Sequence, residues 1–73
     1  MIKISVLIAN KHATSISLEE EFYEELLTIS SARNISLNQL ITSIDATRTQ
    51  PNLSSAVRIY ILNYYKQKSA APK

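Results

Sequence analysis

The stretch H-A-T-S-I-S-L-E-E-E-F, His12 to Phe22, changes its period halfway along. Up to Leu18 the apolar residues alternate, which is the rhythm of a half-buried strand. After Glu19 they recur at helical spacing. Thr14, Ile16 and Leu18 therefore share one strand face, and Ala13, Ser15 and Ser17 share the other. A lone strand leaves its backbone donors and acceptors unpaired, and an apolar strand edge is a template for pairing. Two arrangements satisfy Thr14–Leu18. Either the N-terminal segment folds back on it as a hairpin, or the same strand of a second copy pairs with it antiparallel across a two-fold axis. In the second case Ile16 and Leu18 of both copies face the helices. Ser15 and Ser17 of both copies, joined by Ala13, form the outer face of a narrow ribbon.

Upstream, Ile2, Ile4, Val6 and Ile8 alternate with Lys3 and Ser5 between them, so residues 2–9 also read as a strand. Asn10-Lys11 is the turn candidate, because Asn tolerates a positive φ. Downstream, a first helix is expected from about Glu19. Phe22, Leu26 and Ile29 form its stripe, the stem of Arg33 extends it, and Tyr23, Leu27 and Ser30 widen it. Asn34 is the left-handed stop in a chain without glycine. Ser36 and Gln39 make a capping box, with Ile35 and Leu40 placed as a hydrophobic staple. The second helix then presents Leu37, Leu40, Ile41 and Ile44 and ends near Arg48, ahead of Pro51. Asn52 caps a third helix. Its stripe is Leu53, Ala56, Val57, Tyr60, Ile61 and Tyr64, while Ile59 and Leu62 lie off it. A helix apolar on more than one face has more than one neighbour. The chain reads as one domain over residues 1–68, with 69–73 a disordered tail. No internal repeat is evident.

The bulk composition narrows the function. At 73 residues the chain is a single small domain with marginal stability of its own. It has no cysteine and one histidine, so neither a disulfide framework nor a structural metal is expected, and no cofactor. A homodimer is the remaining way to stabilise it, and a hydrophobic content of 45% suits one. No run has the ~18–20 apolar residues of a membrane span, and the N-terminus lacks a cleavage pattern, so a cytoplasmic location is expected. The net charge of +2 permits nucleic-acid binding. Five of the six acids lie between Glu19 and Glu25, as helix N-terminal acids commonly do. An enzyme is not expected. The lone His12 sits at a strand edge, and no Gly-rich loop offers an oxyanion hole.

Three segments together carry a resemblance: T-S-I-S-L-E-E-E-F (14–22), R-N-I-S-L-N-Q-L-I (33–41) and N-L-S-S-A-V-R-I-Y (52–60). With them, residues 12–66 resemble the bacterial ribbon-helix-helix family. More narrowly, they resemble a branch of short proteins in which a T-S-[IV]-S-L-E strand precedes S-L-N-x-L and N-L-S-S-A-[LIV]-R. The resemblance implies an α+β, mostly helical fold, with N-terminal strands pairing across a homodimer, two helices and an additional third helix. It also implies a DNA-binding transcription regulator whose two-stranded ribbon lies in the major groove. Positions Ala13, Ser15 and Ser17 would face bases. Ser36, Leu37 and Asn38 would offer backbone N–H groups to phosphate, a role that suits a helix N-terminus. Lys11, beside the ribbon, is within reach of phosphate. The expected dimer core is Ile16, Leu18, Phe22, Leu26, Leu40 and Ile44.

This chain departs from similar sequences at Ala13, where they tend to carry a basic residue, and at Asn10-Lys11, where glycine is expected. Arg33, Arg48 and Arg58 are read as helix-edge side chains rather than phosphate contacts. Tyr60, Tyr64 and Tyr65 are read as core and dimer contacts. The alternative function is a protein-interaction or antitoxin-like dimerisation module, with a protein partner held through the third helix. In that case residues 2–9 flank a two-chain ribbon and widen it to four strands, too broad for a groove about 12 Å wide.

Overall fold

The computed structural model describes residues 1–8 and 11–69. Two strands, β1 (Ile2–Ile8) and β2 (His12–Leu18), are followed by α1 (Glu20–Ala32), α2 (Leu37–Thr47) and α3 (Leu53–Ser69). Of the two ways of pairing β2, the chain adopts the hairpin: β1 and β2 form a two-stranded antiparallel sheet. Its register runs from Ile2 opposite Leu18 to Ile8 opposite His12, with Ser5 opposite Ser15 in the middle. Ala9, the expected end of the strand, and Asn10, the first of the two expected turn residues, lie outside the described residues. Lys11 closes the turn by donating its N–H to the Ile8 carbonyl at 2.9 Å.

Side chains directly opposite each other in a ladder lie on the same face. Ile4, Val6, Ile16 and Leu18 are buried on the inner face. The helices supply Leu26, Ile29, Leu40, Ile41, Ile44, Ala56, Val57 and Ile61 to the same core. Five residues expected in a core between two copies (Ile16, Leu18, Leu26, Leu40 and Ile44) are thus buried within one copy, and Phe22 is half-buried against them. Fully burying an aliphatic side chain of this kind contributes roughly 1.5–3 kcal/mol.

The helix boundaries follow the local chemistry. Asn34 adopts φ 58°, the left-handed conformation that ends α1. The Asn34 N–H then reaches the Ser31 carbonyl at 3.1 Å, and the Ile35 N–H reaches that of Ser30 at 3.0 Å. Two otherwise orphaned carbonyls are satisfied in this way. The capping box of α2 is complete, with Gln39 N–H to Ser36 Oγ at 3.0 Å and Ser36 N–H to Gln39 Oε1 at 2.9 Å. Asn52 Oδ1 accepts from the Ser55 N–H at 3.0 Å and caps α3. This last helix includes Ser69, which was expected to open the tail; residues 70–73 lie outside the described residues.

The three arginines of the helical region have internal partners. Arg33 Nη1 donates to the Tyr60 hydroxyl at 2.8 Å. Arg48 pairs with Asp45 at 2.8 Å and donates to the carbonyls of Gln50 and Pro51, fixing the bend ahead of Asn52. Arg58 pairs with Glu19 at 2.9 Å. Tyr60 and Tyr64 lie half-buried beside the core, and Tyr64 meets Tyr65 edge-on at 5.2 Å between ring centres. Off the α3 stripe, Ile59 and Leu62 are exposed, Leu62 by 53%.

Candidate nucleic-acid interface

The outer face of the hairpin is made by both strands. The directly opposed pairs are Lys3 with Ser17, Ser5 with Ser15, and Leu7 with Ala13. All are exposed except Ser17, which is half-buried. The face is therefore small and polar at its centre, with one cation at one end and the apolar pair Leu7 and Ala13 at the other. Neighbouring strands lie about 4.7–4.9 Å apart, so two strands fit within a major groove about 12 Å wide. Ala13, Ser15 and Ser17 lie on the face of β2 opposite Ile16 and Leu18. Lys3, Ser5 and Leu7 join them from β1, and the sequence reading did not include these three. The signal was present in the alternation of Ile2, Ile4, Val6 and Ile8, which puts the intervening residues on the opposite face.

Both edges of the hairpin are held by side chains. On the β1 edge, Asn38 Oδ1 accepts from the Leu7 N–H and Asn38 Nδ2 donates to the Leu7 carbonyl, both at 2.8 Å. On the β2 edge, Ser54 Oγ accepts from the Ser17 N–H at 3.3 Å, and Arg58 Nη2 donates to the Ser17 carbonyl at 3.2 Å. The N–H and C=O of a strand residue point to the same side of an antiparallel ladder. Ser17, and with it Ser15 and Ala13, thus turns its backbone away from β1. Among the described residues no other side chain bonds these two edges.

The start of α2 lies against β1 through Asn38. Its capping box occupies the N–H groups of Ser36 and Gln39, so among the described residues the unengaged amides of the first turn are those of Leu37 and Asn38. The Asn38 side chain is committed to Leu7, and Leu37 is half-buried in the core. Lys11 and His12 are exposed at the turn end. His12 and Thr14 lie on the inner face there and line a groove beside the bend between α2 and α3.

Two of the acids in the run from Glu19 to Glu25 are engaged. The Arg58 guanidinium, hydrogen-bonded to Glu19, holds that carboxyl below its ordinary value. Tyr65 donates its hydroxyl to Glu25 Oε1, which pushes the phenol up to about 12. Among the described residues no cluster of His, Asp or Glu is placed to hold a metal ion, and no helix is long and apolar enough to cross a membrane.

Comparison with known families agrees with this architecture. The family model described as the ribbon-helix-helix domain matches residues 1–65. The chain belongs to the ribbon-helix-helix family, a family of DNA-binding regulators that in general bind DNA as dimers. The match includes β1 and most of α3 as well as the strand, helix and helix of the quoted motifs. Neither the curated proteins nor the solved structures yield a match.

Proposed function

We propose that this protein is a double-stranded-DNA-binding transcription regulator that lays the outer face of the β1–β2 hairpin in the major groove. The observation that carries this reading is the contrast between the hairpin's two faces in a ribbon-helix-helix chain. Ile4, Val6, Ile16 and Leu18 are buried beneath the ribbon, and Lys3, Ser5, Ala13 and Ser15 stand exposed above it. Ser15 and Ser17 reach base edges through short hydroxyls, and Lys3 adds a cation beside Ser17. The free amides of Leu37 and Asn38, like Lys11, lie toward phosphate. Hydroxyls contact several bases, so selectivity rests partly on groove shape and phosphate register. Homodimerisation enters this reading as two such units side by side on neighbouring stretches of groove, and a cytoplasmic location goes with it. Titration of a labelled duplex with Ser15→Glu and Ser17→Glu tests the reading. Both carboxylates should abolish binding, and unchanged affinity would overturn it.

A second reading is favoured by one observation: Ile59 and Leu62 are exposed one turn apart on α3. An apolar pair in that position suits a protein partner. Replacing both with Lys separates the readings. No duplex binding by the natural protein, with self-association lost in the double variant, supports the protein-interaction module; duplex binding that the two substitutions leave unaltered supports the ribbon.

A further inference from the structure

The hairpin has seven cross-strand pairs, and Ser5–Ser15 is the middle one. A local two-fold axis through that pair, normal to the sheet, carries each β1 residue onto the β2 residue ten positions later. Leu7 falls on Ser17. These are the two residues whose outward backbone groups are held by side chains, Leu7 by Asn38 and Ser17 by Ser54 with Arg58. Asn38 is the second residue of α2, and Ser54 is the second residue of α3. Each follows a leucine and a capping residue whose side chain accepts from the third amide, Ser36 from Gln39 and Asn52 from Ser55. Buried Leu40 and Ile41 of α2 correspond in the same way to buried Ala56 and Val57 of α3. The correspondence extends to packing, with α2 against β1 and α3 against β2.

The equivalence breaks at one place. Leu18 leads into Glu19 and α1, whereas its counterpart Ile8 leads into the turn and β2. Near Ile8 and His12 the described residues include no second copy of α1, and a groove of about 420 Å³ is bordered there by Ile8, His12, Thr14, Ser15 and Leu53.

We infer that one copy of this chain is a complete ribbon unit and offers its ribbon to DNA as a single chain. β1 stands where the β2 strand of a second copy would pair, and α3 stands where that copy's α2 would hold the edge. A second copy adding its β2 to this one would have to displace Ser54 and Arg58 from Ser17. The axis also carries Lys3 onto Ala13. The position that lacks a basic residue on β2 is thus matched by one that has it on β1, within the same face. The DNA half of this inference rests on the function proposed above; the single-chain ribbon does not.

The protein has no cysteine, so Ser5→Cys combined with Ser15→Cys gives one defined pair at directly opposed positions. Oxidised at micromolar concentration, this variant should run as an internally linked species at the 8.2 kDa of one chain. Predominant chain-to-chain links through position 15 would overturn the inference. The unsubstituted protein gives a second readout. In a mixture of isotope-labelled and unlabelled copies, the short Hα–Hα contact between Ser5 and Ser15 should arise within one chain. A Ser15–Ser15 contact between chains would overturn the inference. With a duplex of roughly one helical turn, about 10 base pairs, sedimentation should show one chain per duplex at saturation, and two chains sharing one ribbon would overturn it. Internal linkage without any duplex binding supports the single-chain ribbon and overturns the DNA function instead.

Discussion

Asn38 meets Leu7 with both ends of its amide, accepting from the N–H and donating to the carbonyl at 2.8 Å each. A side chain thereby stands in for the next strand of the sheet and ties α2 to the outer margin of β1. Each such bond contributes about 0.5–1.5 kcal/mol net, and these two are solvent-exposed. Asn38→Ala should therefore lower stability by roughly 1–2 kcal/mol, read as a fall in the urea midpoint at unchanged slope.

Asn34 holds φ at 58°. Glycine takes that conformation at no steric cost, and a β-branched residue does not. Asn34→Gly should be neutral or slightly stabilising. Asn34→Val should cost about 1–2 kcal/mol in the same unfolding experiment. Equal stabilities for the two variants would contradict the left-handed stop.

The Glu19–Arg58 pair gives a pH dependence with a definite sign. Arg58 lowers the folded-state value of Glu19 below its ordinary 4.5. The pair's contribution is then fully present above 4.5 and is lost as the pH falls through the depressed value. The stability gap between the natural protein and Glu19→Gln should be open at pH 7 and shrink on acidification. Tyr65 acts in the opposite sense. Its phenol is raised to about 12, so its contribution is present below the ordinary value of 10 and is lost as the pH rises through about 12. Tyr65→Phe should narrow its gap to the natural protein only in that alkaline window.

Lys3 makes the DNA reading quantitative. If its ammonium neutralises one phosphate, Lys3→Ala should reduce the slope of log K against log salt by about 0.9. Ser5→Ala and Ser15→Ala leave that slope alone and change the ranking of duplex sequences instead. Binding titrations from low to high salt on a small set of duplexes check both outcomes.

Much of this was legible in the sequence because the signals were local. The capping box of Ser36 and Gln39, the stop at Asn34 and the cap at Asn52 each involve residues within a turn of one another. The partner of Thr14–Leu18 was not local. Alternation fixes which face is buried but not which strand lies alongside, so a hairpin and a two-chain ribbon fitted equally well. The edge contacts of Asn38 and Ser54 were hidden for a different reason. A helix's second residue usually faces solvent, and only the packed sheet shows what stands opposite. The likeness of residues 36–41 to 52–57 also escaped, since the two segments share only their leucine. What they have in common is a sequence of roles rather than of residue types.

The two halves of the ribbon match in shape but not in chemistry. About its centre, Lys3 answers Ala13 and Leu7 answers Ser17, and only the serines Ser5 and Ser15 agree. A regulator with true two-fold symmetry reads a palindrome, because each half of the site must look the same from its own side. A ribbon with a lysine at one corner and a methyl group at the other does not ask for that. It has a head and a tail, so its operator has an orientation, and turning the duplex end for end presents a different sequence to the same hand.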